Sequence, residues 1–276
     1  MNLVWMDAET LKQPRRHYIR PPIAERVATV WGNIDEEHFL TNFESWREQV
    51  QRAYPHYEPH KEWLIMVKER DGVPLYDTLQ PELRITHRFA RKSDDGRREF
   101  GMRCPQDSLA FHLFTRPDVR HGYATLFGEI QAWLPQWMRH FSVQQVTKVN
   151  LYYANLIDPE TAKPFVDNGQ LELQKVLRSF LALPGAHEAL IPPYDCTATV
   201  LLSENPKSVL TFRIHGDTET RLQPTVRVDF GVEIFPEKAG LDADGALRLF
   251  DYAHERILER FELVFTEEAK QFFSSE

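Results

Sequence analysis

The alternation of apolar and polar residues predicts how the chain begins. Pro21-Pro22 fixes an extended backbone, so a strand is predicted over 23–32 and a loosely ordered arm over 1–20. From Asp35 the apolar residues recur at helical spacing, which predicts an amphipathic helix that ends at Tyr54-Pro55. Asn33 or Asp35 would cap this helix.

Period-two patterns then predict a meander of strands over 62–68, 83–91, 97–104 and 109–114. Asp94-Asp95-Gly96 supplies turn residues between the second and third of these strands. The helical period returns over 121–141, where Pro135 predicts a kink because its ring removes an amide donor.

The second half of the chain repeats this order of elements. The predicted elements are a strand over 147–156, a helix over 168–181, strands over 196–203, 209–215 and 225–235, and a helix over 242–273. We therefore predict a duplication, with 21–142 and 143–276 as two α+β halves packed as one unit. The predicted fold class is α+β, with an antiparallel sheet covered on one face by long helices in a helix-grip or TBP-like arrangement.

Three separated motifs carry a family resemblance. They are Pro21-Pro22-Ile23-x-Glu25, the Trp133-to-Phe141 region leading into Val149-Asn150-Leu151-Tyr152-Tyr153-x-Asn155-x-Ile157, and His254-x-x-Ile257-x-x-x-Phe261 with Thr266 beyond. Together they resemble a sporadically distributed bacterial protein family whose members are largely of unknown function. The resemblance implies a single architectural unit along the whole chain, and it implies no catalytic residue.

Composition and motif spacing remove several classes of function. No long apolar segment or signal-peptide pattern occurs, so we predict a soluble, cytoplasmic protein without membrane contact. The glycines do not form a nucleotide-binding loop, and His187-Glu188 and His254-Glu255 lack the second histidine of a zinc protease. Cys104 and Cys196 are interpreted as core residues, and neither a metal nor a cofactor is predicted.

The segment 84–103 has the strongest local charge. It contains seven basic and three acidic residues, which gives a net charge of +4 in a chain of net charge −8. Alternation places Arg84, Arg88 and Arg103 on one sheet face, where guanidinium groups suit phosphate or carboxylate. We take Arg84, Arg88, Arg98 and Arg103 as candidate partner-binding residues; the alternative is a solvated ribbon.

A second polar cluster is predicted in the second half. If strands 209–215 and 225–235 are adjacent, Arg213, His215, Arg227 and Asp229 share one face, where a carboxylate could orient a histidine. Cross-strand ion pairing explains the same residues without chemistry, and no nucleophile accompanies them, so no catalytic residue is assigned.

For the remaining candidate residues, we favour a structural role over a functional one. His56 and His60 lie four residues apart, but neighbouring prolines favour a loop or strand edge over a metal site. Trp46, Trp133 and Trp137 follow helical stripes typical of a core, and His254 is interpreted as an interior histidine.

The leading hypothesis is a non-catalytic protein that holds an acidic partner through an exposed sheet face and the arginine-rich hairpin. A protein partner ranks ahead of nucleic acid, and a homodimer is open because 233–276 carries a net charge of −6. The alternative is a helix-grip pocket for an apolar small molecule with hydrolytic activity through the second polar cluster. An RNA-binding module requires aromatic residues beside the arginines on the sheet surface.

Overall fold

The structure is a computed structural model that describes residue 18 and residues 21–70, 73–115, 122–158, 162–167, 170–178, 194–217, 225–236 and 241–275. Of 63–70 and 73–82 it describes the backbone alone. The predicted arm over 1–20 therefore lies outside the described residues except for Tyr18, whose ring contacts Phe261 at 4.8 Å between centroids.

The first half contains five strands and two helices. These are β1 (Ile23–Gly32), α1 (Glu36–Gln51), β2 (His56–Arg70), β3 (Val73–Lys92), β4 (Arg98–Cys104), β5 (Ser108–Phe114) and α2 (Tyr123–His140). The second half contains β6 (Val146–Ile157), β7 (Val166–Asp167), β8 (Gln170–Leu171), α3 (Leu173–Val176), β9 (Tyr194–Glu204), β10 (Lys207–Asp217), β11 (Thr225–Phe235), α4 (Ala243–Val264) and α5 (Glu267–Ser274).

Nine strands form one antiparallel sheet in the order β2-β3-β4-β5-β1-β6-β11-β10-β9. β1 lies between β5 and β6, and β6 lies between β1 and β11. The β1–β6 pair, with Ala28 opposite Leu151, joins the two halves into a continuous sheet. The prediction of an α+β protein with a large antiparallel sheet is confirmed.

The helices α1, α2 and α4 pack on one face of this sheet. Trp46 of α1 meets Trp133 of α2 edge to face at 5.9 Å, and Phe261 of α4 lies 6.5 Å from Phe230 of β11. Alternate strand residues, such as Ala28 and Val30 of β1, point into this layer and are fully buried. We call the opposite face of the sheet the far face.

Local sequence signals explain several boundaries. Asp35 caps α1, because its Oδ1 accepts a hydrogen bond from the His38 amide at 2.9 Å. Gly96 has a positive φ of 80° in the β3–β4 turn, a conformation that glycine adopts without steric cost. The helix predicted over 121–141 is found as α2 and continues through Pro135.

Three predicted elements are corrected. β2 begins at His56 rather than at 62, because it is an edge strand and tolerates Pro59 within it. Of the helix predicted over 168–181, residues 168–169 and 179–181 lie outside the described residues. Within the rest, 170–171 form the strand β8, which pairs with β7, and α3 covers only four residues.

The final helix is also not continuous. Phe265 is extended and forms a bridge with Leu177, so α4 ends at Val264. Thr266 then caps α5, because its Oγ1 accepts a hydrogen bond from the Ala269 amide at 3.1 Å. A threonine followed by acidic residues is a helix start, and this local signal divides the predicted helix.

Candidate functional site

The far face of the first half contains a groove of about 520 Å³. Its central row runs across four strands through His56, Ala90, Gly101 and His112, which are paired in that order by the sheet register. The two middle residues are small, so the floor of the groove is open between two histidines. A Cβ at Gly101 would lie 3.3 Å from the Cβ of His112, so a side chain there would crowd this floor.

One end of the groove carries two arginines on facing strand positions. Arg88 of β3 is directly opposite Arg103 of β4. Both donate hydrogen bonds to the same oxygen, Oε1 of Glu62, at 2.9 and 2.7 Å. Thr86 donates to the other carboxylate oxygen at 3.1 Å. Two guanidinium groups therefore share one carboxylate, and Glu58, opposite Arg88 on β2, is a further acidic residue in the groove lining.

These contacts also change the acidity of Glu62. Partial burial raises its pKa, but the hydrogen bond from Arg88 and the charge of Arg103 outweigh burial and hold the pKa below its ordinary value. Glu62 is therefore ionised throughout the physiological range and serves as the structural anion between the two arginines.

The other end of the groove carries Lys92 opposite Arg98. Both side chains are exposed, and neither forms an ion pair with an acidic group in the part of the chain that the structure describes. Like charges directly opposite each other on neighbouring strands are destabilising. This end therefore has two cations whose charge is not compensated by a described neighbour.

A carboxylate–histidine pair forms one wall of the groove. Nδ1 of His112 lies 2.8 Å from Oε1 of Glu25, on the neighbouring strand β1. The ring of Phe114 lies nearly parallel to that of His112, with centroids 6.1 Å apart and an interplanar angle of 14°. Nε2 of His112 and Nε of Arg88 are buried without a hydrogen-bond partner among the described residues.

Of the four predicted partner-binding arginines, three line this groove: Arg88, Arg98 and Arg103. Arg84 shares the face with Arg88 but lies outside the groove, where its Nη1 contacts Asp107 at 3.3 Å. The basic segment is not one surface, because Arg91 points to the helix face and contacts Glu129 of α2 at 2.8 Å. The net charge of the segment therefore overstates the positive surface of the far face.

The residues of the second polar cluster lie together on one face, since β10 and β11 are adjacent. Arg227 donates to Asp229 at 2.9 Å, and Arg213 donates through Nε to Asp195 at 2.9 Å. Nε2 of His215 lies 3.4 Å from Oδ2 of Asp229 without forming a well-aligned hydrogen bond. In this cluster each arginine has its own carboxylate.

The tyrosine and aspartate at the edge of this cluster titrate away from their ordinary ranges. Burial, followed by the hydrogen bond and charge of Asp229, raises the pKa of Tyr152. The hydrogen bond from Arg213 lowers the pKa of Asp195. Tyr152 is thus a neutral donor or acceptor at neutral pH, and Asp195 is ionised.

The second cluster also lies on the far face. Phe212 and Phe230, on the same strands but with opposite orientation, are buried in the layer toward the helices and lie 5.3 Å apart. Arg213, His215 and Asp229 therefore do not line a space between the sheet and α4. The helix-grip alternative placed this cluster at the mouth of a pocket between the sheet and the long helix, and its position on the far face gives that arrangement no support.

Trp46, Trp137 and Cys104, which were interpreted as structural, lie in the core. Trp46 and Trp137 are fully buried, and burial raises the pKa of the Cys104 thiol between them to about 12. His254 accepts or donates at Nδ1 to the Tyr153 hydroxyl at 2.7 Å and stacks on Tyr123. The side chain of Cys196 lies outside the described residues.

The two histidines of the segment 56–60 lie on β2. Four residues of extended strand separate them by about 13 Å along the backbone, which is too far for two ligands of one ion. Among the described residues, no cluster of three or more His, Cys, Asp or Glu side chains could hold a metal ion.

Sequence reasoning missed the two acidic residues that organise the groove, Glu25 and Glu62. Glu25 stands within the first family-like motif, but its partner His112 depends on the pairing of β1 with β5. The alternation of Leu109, Phe111 and Leu113 with His112 did indicate that His112 faces away from the helices.

The fold and the site define an α+β protein with one large antiparallel sheet and a polar groove on the face without described helices. No helix in the described part of the chain is long and apolar enough to cross a membrane. No family model matches the chain, and no curated protein matches it. The resemblance to a bacterial family of unknown function therefore stays a prediction.

Among solved structures, the chain is similar to the crystal structure of the di-domain ARO/CYC BexL from the BE-7585A biosynthetic pathway. The identity is 11%, the match covers 92% of this chain and 99% of that chain, and the TM-score is 0.21. A TM-score this low carries no argument about the fold or the function of this protein.

Proposed function

We propose that this protein binds an acidic partner in the far-face groove, and that the partner is a single-stranded nucleic acid. The observation that carries the proposal is the pair of facing cations at each end of the groove, Arg88 with Arg103 and Lys92 with Arg98. Only the first pair has a described carboxylate partner. The second pair would gain the most from an anionic ligand.

The length of the groove favours an extended polyanion. Arg88 and Lys92 are four residues apart on one strand, so the two cationic ends are separated by about 13 Å along the strand direction. A single phosphate or carboxylate would contact one end only. A chain of phosphates would reach both ends at once.

The aromatic wall favours nucleic acid over an acidic peptide. Phe114 and His112 line the groove with nearly parallel rings between its two cationic ends. Proteins that bind single strands combine a cationic groove with aromatic side chains on which bases stack, and a stacked base contributes about 1–3 kcal/mol. An acidic peptide would use the cations and leave the aromatic wall without a matching group.

We also propose that the two halves are a structural duplication of helix-grip type. In support, the first strand of each half pairs with the last strand of its meander: β1 with β5, and β6 with β11. A long helix follows the meander in each half, α2 in the first and α4 in the second. At the position that corresponds to the groove, the second half has two arginines, each paired with a carboxylate of its own.

The binding proposal is tested with the full chain by fluorescence anisotropy of labelled oligouridylate, about ten nucleotides long, at about 0.15 M salt. The double variant Lys92→Glu/Arg98→Glu should lower the affinity at least about tenfold, since two attractive phosphate contacts become repulsive. The matched control, Arg139→Glu/Arg248→Glu on the exposed surfaces of α2 and α4, makes the same change in net charge away from the groove.

Unchanged affinity of the groove variant, or an equal loss in the control, would contradict the proposal. A labelled oligoglutamate of equal charge is the competing ligand. Tighter binding of oligoglutamate than of oligouridylate would replace the nucleic acid with an acidic protein segment. Circular dichroism and thermal unfolding of each variant check that the fold is retained.

A further inference from the structure

The pair formed by Glu25 and His112 has the arrangement of a positioned base. The carboxylate oxygen Oε1 lies 2.8 Å from Nδ1, and both side chains are partly buried, with exposed fractions of 25% and 14%. A carboxylate next to Nδ1 favours the tautomer that carries its proton on Nδ1. Nε2 then keeps a free lone pair and can accept a proton.

The free atom belongs to a side chain that lines the groove, and the atom itself has almost no exposed surface. Nε2 of His112 is buried and has no hydrogen-bond partner among the described residues, and the same is true of Nε of Arg88. Both residues line the groove. Buried polar atoms are rarely left without a partner, so an acceptor and a cationic donor in one groove indicate a ligand that contacts both.

The residues described as lining the groove supply a base and cations but no hydroxyl or thiol nucleophile of the usual kind. None of them is serine, threonine or cysteine, and the hydroxyl of Tyr57 contacts Nδ1 of His87 at 2.9 Å. A substrate that carries its own nucleophile next to a phosphate meets this requirement. The 2′-hydroxyl of RNA is such a group, and DNA lacks it.

We propose that the groove cleaves the single-stranded RNA that it binds, with His112 as the catalytic base and Glu25 as its positioning residue. This proposal rests on the proposed function. When the bound strand displaces the side chains that cover it, Nε2 removes the proton of a 2′-hydroxyl, and the 2′-oxygen forms a bond to the adjacent phosphorus. The bond from phosphorus to the 5′-oxygen breaks, and the leaving oxygen takes a proton from water.

The products are a 2′,3′-cyclic phosphate and a 5′-hydroxyl, and His112 returns its proton to solvent. Negative charge increases on the phosphoryl oxygens during the attack. Arg88 and Arg103 are positioned by Glu62 at one end of the groove, where they stabilise that charge. The step needs neither an oxidant nor a second substrate.

The test is incubation of the full chain with a labelled oligoribonucleotide and with the oligodeoxynucleotide of matching sequence, followed by mass spectrometry of the products. We expect cleavage of the RNA to cyclic phosphate ends and no cleavage of the DNA. His112→Ala should lower the cleavage rate about 100-fold or more, the usual contribution of a general base. Because the His112 ring is also part of the aromatic wall, some loss of affinity is expected too, so the cleavage rates are compared at saturating oligonucleotide.

Two further variants separate the base from its support. His112→Gln retains a donor toward Glu25 and removes the base, so it should be as inactive as His112→Ala even if the alanine variant folds poorly. Glu25→Gln should lower kcat about tenfold with KM unchanged, because it alters the orientation of the imidazole rather than substrate binding.

His215→Ala is the matched control, because His215 is also a far-face histidine near a carboxylate but lies outside the groove. It should cleave at the rate of the unaltered protein. RNA that is bound but stays intact would overturn the cleavage proposal and leave the binding proposal standing. RNA that is not bound at all would overturn the binding proposal. Cleavage that persists in both His112 variants would assign the activity elsewhere and overturn the role of His112.

Discussion

The two polar clusters of the far face use similar residues with different charge balance. In the second half, Arg213 and Arg227 each have a carboxylate of their own, Asp195 and Asp229. In the first half, Arg88 and Arg103 share Glu62. An arginine on a sheet surface is therefore a better binding candidate when it has no carboxylate of its own than when it merely lies in a basic segment.

The clusters also differ in shape. The first half has Ala90 and Gly101 side by side between its polar side chains, whereas in the second cluster Arg213 stands directly opposite Asp229. Small residues beneath uncompensated cations leave room for a ligand. The arginine–carboxylate pairs of the second cluster stabilise the fold instead.

The largest expected difference between the clusters is in stability. Asp229→Ala should lower the free energy of unfolding by about 2 kcal/mol, because it removes a buried carboxylate that contacts Arg227 and His215, while the arginine left behind is itself 40% exposed. Glu62→Ala should cost about 1 kcal/mol, since its side chain is 29% exposed. Urea unfolding measures both. Equal losses would contradict the distinction between a structural and a binding cluster.

The next effect concerns space. Gly101→Val should lower oligouridylate affinity about tenfold, equivalent to about 1.4 kcal/mol, because the new side chain fills the groove floor beside His112. Gly231→Val makes the same change on the far face of the second half, where a Cβ would lie 3.4 Å from Tyr152. Anisotropy titration should show no loss for that control, and an equal loss would argue against the groove.

A smaller effect is expected in the dependence of stability on pH. The pKa of Glu62 is lower in the folded protein than the value of about 4.3 for an unfolded glutamate. Its contribution is therefore fully present above that unfolded value and is lost as the pH falls through the folded pKa. The Glu62→Gln variant should therefore lose less stability below about pH 4 than the unaltered protein, by about 1 kcal/mol or less. Urea unfolding at a series of pH values measures this difference. The same loss of stability at low pH in the variant and the unaltered protein would contradict the pairing of Glu62 with the arginines.

The smallest effect is expected at Arg84. This arginine was predicted from sequence as a partner-binding residue, but it contacts Asp107 outside the groove. Arg84→Glu should change oligouridylate affinity less than about twofold, a difference typical of a peripheral charge. A tenfold loss, as expected for the Lys92 and Arg98 variant, would extend the binding surface beyond the groove.

Much of the fold follows from local patterns. The strand at 23–32, the capped helix after Asp35 and the Asp94-Asp95-Gly96 turn were predictable because each depends on residues close in sequence. The two predicted helices that the structure corrects contain competing local signals. Thr266 starts a new helix within an apolar helical pattern, and the Asn168-Gly169 dipeptide favours a hairpin over a helix.

The site was only partly predictable. Alternation placed Arg88 and Arg103 on one face, but their shared use of Glu62 depends on the pairing of β2, β3 and β4. The contact between Glu25 and His112 joins strands that are separated by most of the first half. Residue spacing fixes which face a side chain occupies, while register decides which side chains meet.

The salt dependence of oligouridylate binding counts the phosphate contacts that the groove makes. Replacing both Lys92 and Arg98 by glutamine should reduce the slope of log affinity against log salt concentration by about 1.4, the value for two lost contacts to a single strand. Replacing Arg139 and Arg248 by glutamine should leave the slope unchanged. Identical slopes for the groove variant and the unaltered protein would contradict the account.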